Sequence, residues 1–343
     1  MLSTSHIADH DNFLGRITAT SFWPDSDTEG STELICLRDW SGSSSPGERK
    51  RAVDALECGR IVFLPFLSFT LEQRELRFLS ASASNGRAKN ISYDPRSQIL
   101  RGTNAAGSDR EDLKRLLARF NIQSRALLYA LCPSYAAQLE WGRASLRPVS
   151  IDARQMSARK DDTRLHVDAF PSEPVQGRRI LRVFTNVNQD GAARVWRVGE
   201  RFAGYAKRFL SQRRRSFPGT SAALALAGIT RGRRTEYDEL MLMLHDSAKG
   251  DITYQQEGVR GEICFPPGST WIVFSDLVPH AAISGQHALE QTFYLPVSAM
   301  CHPEMSPVRI LEGLVGRPLT GPIRRNRTTW LRRAQCERSI QST

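Results

Sequence analysis

From Arg147 onward, apolar and polar residues alternate in short runs, RLHVDAF, RRILRVFTNVN, ARVWRV, GEICFPP, GSTWIVFSD and LEQTFYLPV, each bounded by Gly, Pro or Asn. A period of two sends side chains to opposite faces of a strand, and several such strands at close spacing predict a barrel or jelly roll. Within this stretch, residues 202–250 switch to a helical insertion that reads FAGYAKRFLSQRRRSF, a small apolar stretch, then TEYDELMLMLHDSAK. The first half differs. Apolar residues recur at helical spacing after Ser108, which predicts two helices separated near Asn121. Residues 51–58 read as helical, GRIVFLPF as a buried strand ended by Pro65, ELICLRDW as a short edge strand, and residues 41–51 as a loop.

The expected architecture is therefore α+β: a double-stranded β-helix, or jelly-roll, core with flanking helices. Residues 1–50 are expected to be poorly ordered, 51–146 to form a mixed part packing on the core, 147–308 the core with its insertion, and 309–343 a basic tail.

Composition narrows the class. The 343 residues are 40% hydrophobic, enough for a sizeable core, yet no apolar run approaches the roughly 20 residues of a spanning helix. The N-terminus, MLSTSHIADHDNFLGR, has acids where a secretory signal has bases, which predicts a cytosolic protein. Six scattered cysteines show no metal-binding spacing, so any metal takes its ligands from histidines and acids. A net charge of +11, carried mainly by arginine, implies an anionic partner.

The chemistry centres on His166-Val167-Asp168 in DDTRLHVDAF. Positions i and i+2 of a strand share a face, so imidazole and carboxylate converge. A third ligand is expected from a late strand, and His280 follows the apolar strand GSTWIVFSD, ranking above its rival His287. Two histidines and one carboxylate on iron leave three positions for oxygen and a chelating co-substrate such as 2-oxoglutarate. His245 is expected to pack or hydrogen-bond within the insertion, and His6, His10 and His302 to lie in tails or loops. The distal carboxylate of 2-oxoglutarate needs a cation, but residues 281–296 hold no Arg or Lys. Arg182, between Leu181 and Val183, is the expected substitute, with Arg179 next in line; Asn186, Gln291 and Thr292 are expected to add uncharged hydrogen bonds.

The strings RKDDTRLHVDAFPS, RRILRVFTNVN, VWRVGE, RRTEYDELMLMLHDSAKGD and HAAISGQHALEQTFYLP, with LPFLSF and AKNISYDP upstream, resemble the bacterial 3-deoxy-D-manno-oct-2-ulosonic acid (Kdo) hydroxylase family from about residue 59 to 308. The resemblance implies an Fe(II)/2-oxoglutarate dioxygenase that hydroxylates C3 of Kdo on lipid A to give D-glycero-D-talo-oct-2-ulosonic acid (Ko), at the cytosolic face of the inner membrane. An arginine-rich site mouth suits a carboxylated sugar on a phosphorylated lipid, and Arg147, Arg159, Lys160 and Arg164 precede or flank the metal segment, as do Arg143 and Arg154. The basic, Phe-containing insertion and the tail are expected to favour an anionic membrane surface. The alternatives are a cupin-like metal hydrolase or isomerase using the same triad, and a nucleic-acid-acting dioxygenase. No nucleic-acid-binding motif supports the latter, and no nucleic-acid partner is expected.

Overall fold

The computed structural model describes residues 31–149, 157–211 and 230–320. An eight-stranded sheet runs in the order β1-β2-β9-β6-β11-β5-β3-β4 and a three-stranded sheet in the order β10-β7-β8. The strands are β1 Thr32–Leu34, β2 Ile61–Leu64, β3 Ile91–Asp94, β4 Ile99–Arg101, β5 Glu140–Arg147, β6 Arg179–Asn186, β7 Arg194–Gly199, β8 Val259–Phe265, β9 Thr270–Phe274, β10 His280–Ser284 and β11 Ala288–Leu295. Helices α1 Pro46–Glu57, α2 Gly107–Leu131, α3 Phe202–Leu210, α4 Glu236–Gly250, α5 Ile252–Glu257 and α6 Pro307–Val315 accompany them.

Strand periodicity sorts the large sheet into two faces. β6 and β11 are antiparallel, with Arg182 opposite Thr292 and Phe184 opposite Glu290. Directly paired residues share a face. That face turns to the small sheet: Phe184 stacks on Trp271 and meets the edge of Trp196, and Phe265 stacks on Trp271. The opposite face, through residues such as Leu181, Val183 and Phe293, joins the larger core with α1 and α2.

Three expectations change. Helix α1 begins at Pro46, inside the expected loop, because Ser45 and Glu48 form a capping box and proline suits a first helical turn. Helix α2 runs unbroken through Asn121, whose amide is buried and donates to Gln291 Oε1 at 2.9 Å. The sheet is also continuous across the division expected at 146/147, since β5 lies between β11 and β3. The expected tail residues 321–343 and the centre of the insertion, 212–229, lie outside the described residues.

Candidate metal centre

His166 and His280 come together across a two-bond bridge between the segment that precedes β6 and the first residue of β10. His166 N donates to His280 O at 3.0 Å, His280 N donates to His166 O at 2.8 Å, and Asp168 N donates to Ser275 O at 2.8 Å. This is shorter pairing than a full strand, but it keeps the extended alternation that aims His166 and Asp168 the same way. Beside it, Gln255 acts as a substitute neighbour: Leu165 N donates to its Oε1 at 2.6 Å, and its Nε2 donates to Leu165 O at 3.1 Å and Ala248 O at 2.7 Å.

One ligand atom from each of His166, Asp168 and His280 lies within 4.8 Å of the others, and all three residues are buried. His166 Nδ1 is 2.7 Å from Arg164 O and His280 Nδ1 is 2.8 Å from Val278 O. A carbonyl only accepts, so both Nδ1 atoms carry the proton and each Nε2 presents a lone pair. Burial holds both imidazoles below the ordinary histidine range, His166 further through the nearby His280 and Lys249. Asp168 is the anion of the set: burial alone would raise it, but Arg182 and the two histidines outweigh that and hold it below the usual carboxylate range. Its Oδ2 is buried and accepts no hydrogen bond. Two neutral imidazoles and one incompletely satisfied carboxylate fit a divalent transition metal. Trp196 stacks on His280 at 4.9 Å between ring centroids and fixes its plane.

The triad opens into a cavity of about 1450 Å³. Among the arginines that face it are Arg182, largely covered, from the large sheet and the buried Arg194 from the small one. Arg182 Nη1 lies 3.1 Å from Asp168 Oδ2 and 3.9 Å from Glu290 Oε2, and its Nε has no hydrogen-bond partner. Glu290 is also bound by Arg147, through Nε at 2.9 Å and Nη2 at 2.5 Å, and Arg147 Nη1 reaches Asp162 at 3.0 Å.

Several sequence expectations are corrected here. Asn186 is not available to a co-substrate: its Nδ2 donates to Ala192 O and Phe265 O while its Oδ1 accepts from Asn188 N. Gln291 points to the helix side of the sheet, bonded to Asn121 and Gly142 O. Thr292 is buried opposite Arg182 but outside the cavity lining. Arg179 is spent on Asp276 at 2.8 Å, against the Phe274 ring. Of the expected substrate cations, Arg147 lines the cavity with its donors committed to Glu290 and Asp162, and Arg164 lies outside it, bound to Asp161 and Lys249 O. Arg159 sits exposed on the lining, paired with Asp246, and the side chain of Lys160 lies outside the described set.

His287 is remote from the triad, its ring nitrogen 3.5 Å from Asn188 Nδ2. His245 bonds within the insertion as expected, its Nδ1 3.0 Å from Asp246 Oδ1, and it also lines the cavity with its ring edge-on to His166 at 5.2 Å. Arg194, Trp196 and Glu290 were missed because their roles depend on which strands become neighbours. Alternation in ARVWRV, which places Arg194 and Trp196 on one face, was the available signal.

A two-histidine, one-carboxylate centre on a two-sheeted β core is the arrangement of the non-haem iron oxygenases. The comparisons narrow the class. A model of the family described as 3-deoxy-D-manno-oct-2-ulosonic acid (Kdo) hydroxylase matches residues 39–318, and the chain belongs to that family. The crystal structure of the Kdo hydroxylase KdoO with alphaketoglutarate and Fe(III) is 45% identical, superposes with a TM-score of 0.81, and covers 84% of this chain and 97% of its own. The cobalt(II) complex of KdoO gives 45% identity and a TM-score of 0.83 over 85% of this chain and 98% of its own. The complex with succinate and Fe(III) gives 44% and 0.82 over the same shares. No curated protein matches.

Proposed function

We propose that this chain hydroxylates C3 of a Kdo residue attached to lipid A, giving Ko, with Fe(II) held by His166, Asp168 and His280, and with 2-oxoglutarate and O2 as co-substrates. The observation that carries the reading is the buried triad at the wall of a cavity large enough for a sugar beside the co-substrate. When bound, iron and 2-oxoglutarate supply the oxidation of an unreactive C–H bond by O2, with succinate and CO2 as co-products.

The protein's part is binding and orientation. His166 and His280 offer neutral nitrogen donors, their Nδ1 protons tied to backbone carbonyls. Asp168 brings the one negative charge, oriented by its own backbone bond to Ser275 and by Arg182. Arg182 and Arg194 supply cationic donors for the distal carboxylate of 2-oxoglutarate from the two sheets. Phe170, Phe184 and Trp196 line the wall near the triad and limit water there.

We place the enzyme at the cytosolic, anionic surface of the inner membrane. Among the described residues no helix is long and apolar enough to cross a membrane. Arg233, Arg234 and Arg317 gather at the cavity lining, a distribution that suits phosphorylated lipid. The test is mass spectrometry of Kdo-lipid A after incubation with the iron-loaded enzyme, 2-oxoglutarate and O2. Gain of one oxygen atom on Kdo, dependent on 2-oxoglutarate, is expected; an unmodified sugar refutes the reading.

A further inference from the structure

A second polar wall of the cavity is made by the segment that leads into β3. Lys89 and Asn90 line it. Their turn lies against Gly102, where φ is +80° and an added Cβ would stand 2.3 Å from Asn90 O, so this close approach requires glycine. Lys89 Nζ is paired with Asp162, a carboxylate that also receives Arg147 at 3.0 Å and has Lys249 Nζ 3.9 Å away. Asn90 Nδ2 donates to Glu290 Oε1 at 3.4 Å, while its Oδ1 is buried with no hydrogen-bond partner.

Charge on this wall is out of balance. Among the described residues the cavity lining carries nine lysines and arginines, Lys89, Arg147, Arg182 and Lys249 among them, against six carboxylates. A divalent metal adds two positive charges and 2-oxoglutarate returns two negative ones, so the cationic excess survives loading of the proposed centre. Uncompensated charge in an enclosed site is costly, and a further anion relieves it. Burial also pulls the Lys89 ammonium below the ordinary lysine range, against the opposing pull of Asp162. Lys249 is less able to answer, with its side chain 2% exposed and its Nζ donating to Arg159 O; the Lys89 side chain is 30% exposed toward the cavity.

We infer that Lys89 binds the carboxylate of the sugar acid and that Asn90 Oδ1 accepts a hydrogen bond from one of its hydroxyl groups. This assignment rests on the proposed function and adds the residues that select an acid sugar over a neutral one. Asp162 keeps the ammonium in place, and one or two of its three N–H groups remain for the ligand.

The test is equilibrium binding, without oxygen, of Kdo methyl glycoside and of its C1 methyl ester to the enzyme loaded with Fe(II) and 2-oxoglutarate. The ester keeps every hydroxyl and lacks the charge. Wild type should prefer the acid by about tenfold to a hundredfold, the range for a hydrogen bond to a charged group. Lys89→Met should lower affinity for the acid to that for the ester while 2-oxoglutarate affinity stays unchanged, and Asn90→Ala should weaken acid and ester alike. Equal binding of acid and ester by wild type, which needs no variant to fold, overturns the inference, as does a full acid preference in Lys89→Met. Turnover of Kdo-lipid A by the same preparation separates the two readings. Turnover without acid preference overturns the carboxylate site alone, whereas neither turnover nor binding overturns the function and the site with it.

Discussion

Arg182 Nη1 stands 3.1 Å from Asp168 Oδ2, so the arginine expected to serve the co-substrate also holds one of the metal-binding carboxylates. On the proposed assignment this contact would couple iron and 2-oxoglutarate through one side chain. Arg194 approaches from the other sheet, with its Nη1 3.5 Å from Gly285 O.

The two arginines should therefore fail differently. Arg182→Met leaves Asp168 without its charge partner and should weaken both Fe(II) and 2-oxoglutarate binding. Arg194→Met should raise the 2-oxoglutarate requirement by about two orders of magnitude, the scale for loss of one buried charge partner, with iron affinity unchanged. Separate titrations of metal and co-substrate check this. Unchanged 2-oxoglutarate affinity in both variants would place the cation elsewhere.

Replacing His166, Asp168 or His280 singly by Ala should abolish turnover and reduce bound iron to a small fraction of wild type, with the fold retained. His287→Ala should keep both, because His287 sits apart from the triad beside Asn188. Metal content by elemental analysis, read next to activity, decides. Full iron loading in His280→Ala would remove the third ligand.

Stability should fall on acidification in a way that Glu290 controls. Burial alone would raise this carboxyl, but Arg147 and Arg182 outweigh it and hold it below its ordinary value of 4.5. A carboxylate lowered in the folded state contributes fully above its unfolded value, and that contribution is lost as pH falls through the folded one. Glu290→Gln should cost up to about 3 to 5 kcal/mol near neutrality, since it removes the carboxylate shared by Arg147 and Arg182 and leaves Arg147 only Asp162. The gap from wild type should narrow below about pH 4.5. Denaturant unfolding of metal-free protein across this range measures it, and a gap independent of pH would contradict the assignment.

Gln291 and Asn121 bond each other across the sheet-to-helix interface, away from the cavity. Gln291→Ala should lower stability by about 1 to 3 kcal/mol, the cost of leaving a buried amide unsatisfied, with no change in 2-oxoglutarate affinity. Thermal unfolding and co-substrate titration together check it, and a raised 2-oxoglutarate requirement would return Gln291 to the site.

Attachment to anionic vesicles should be salt-sensitive. Flotation with acidic liposomes at low ionic strength should carry the full chain, and high salt should release it. Failure to float at low salt would confine the arginines to the substrate and to solvent.

The part of the site legible in the sequence was the part set by local geometry. His166 and Asp168 lie two residues apart, and strand alternation alone aligns them. His280 was legible because an apolar strand ends just before it. Asn186 and Gln291 went wrong at the next level, since a strand residue's face and its neighbours depend on register; one residue separates Glu290, on the cavity, from Gln291, on the helix side. Asn121 suggested a break because asparagine is a poor helix former, and its buried bond to Gln291 overrides that tendency. The start of α1 was missed although Ser45-Pro46-Gly47-Glu48 spells its capping box.

The order of the large sheet also constrains when it can form. β11 lies between β5 and β6, so the β5-β3-β4 side and the β1-β2-β9-β6 side have no direct ladder to each other. All the other strands of this sheet precede β11 in the chain, so the two sides cannot be joined until residues 288–295 are made. The strand that joins them also carries Glu290, which binds the arginines of both sides, Arg147 and Arg182. Closure of the sheet and completion of the charged wall are thus one late, long-range event, which predicts slow refolding and a window in which unpaired edges must be shielded from other chains.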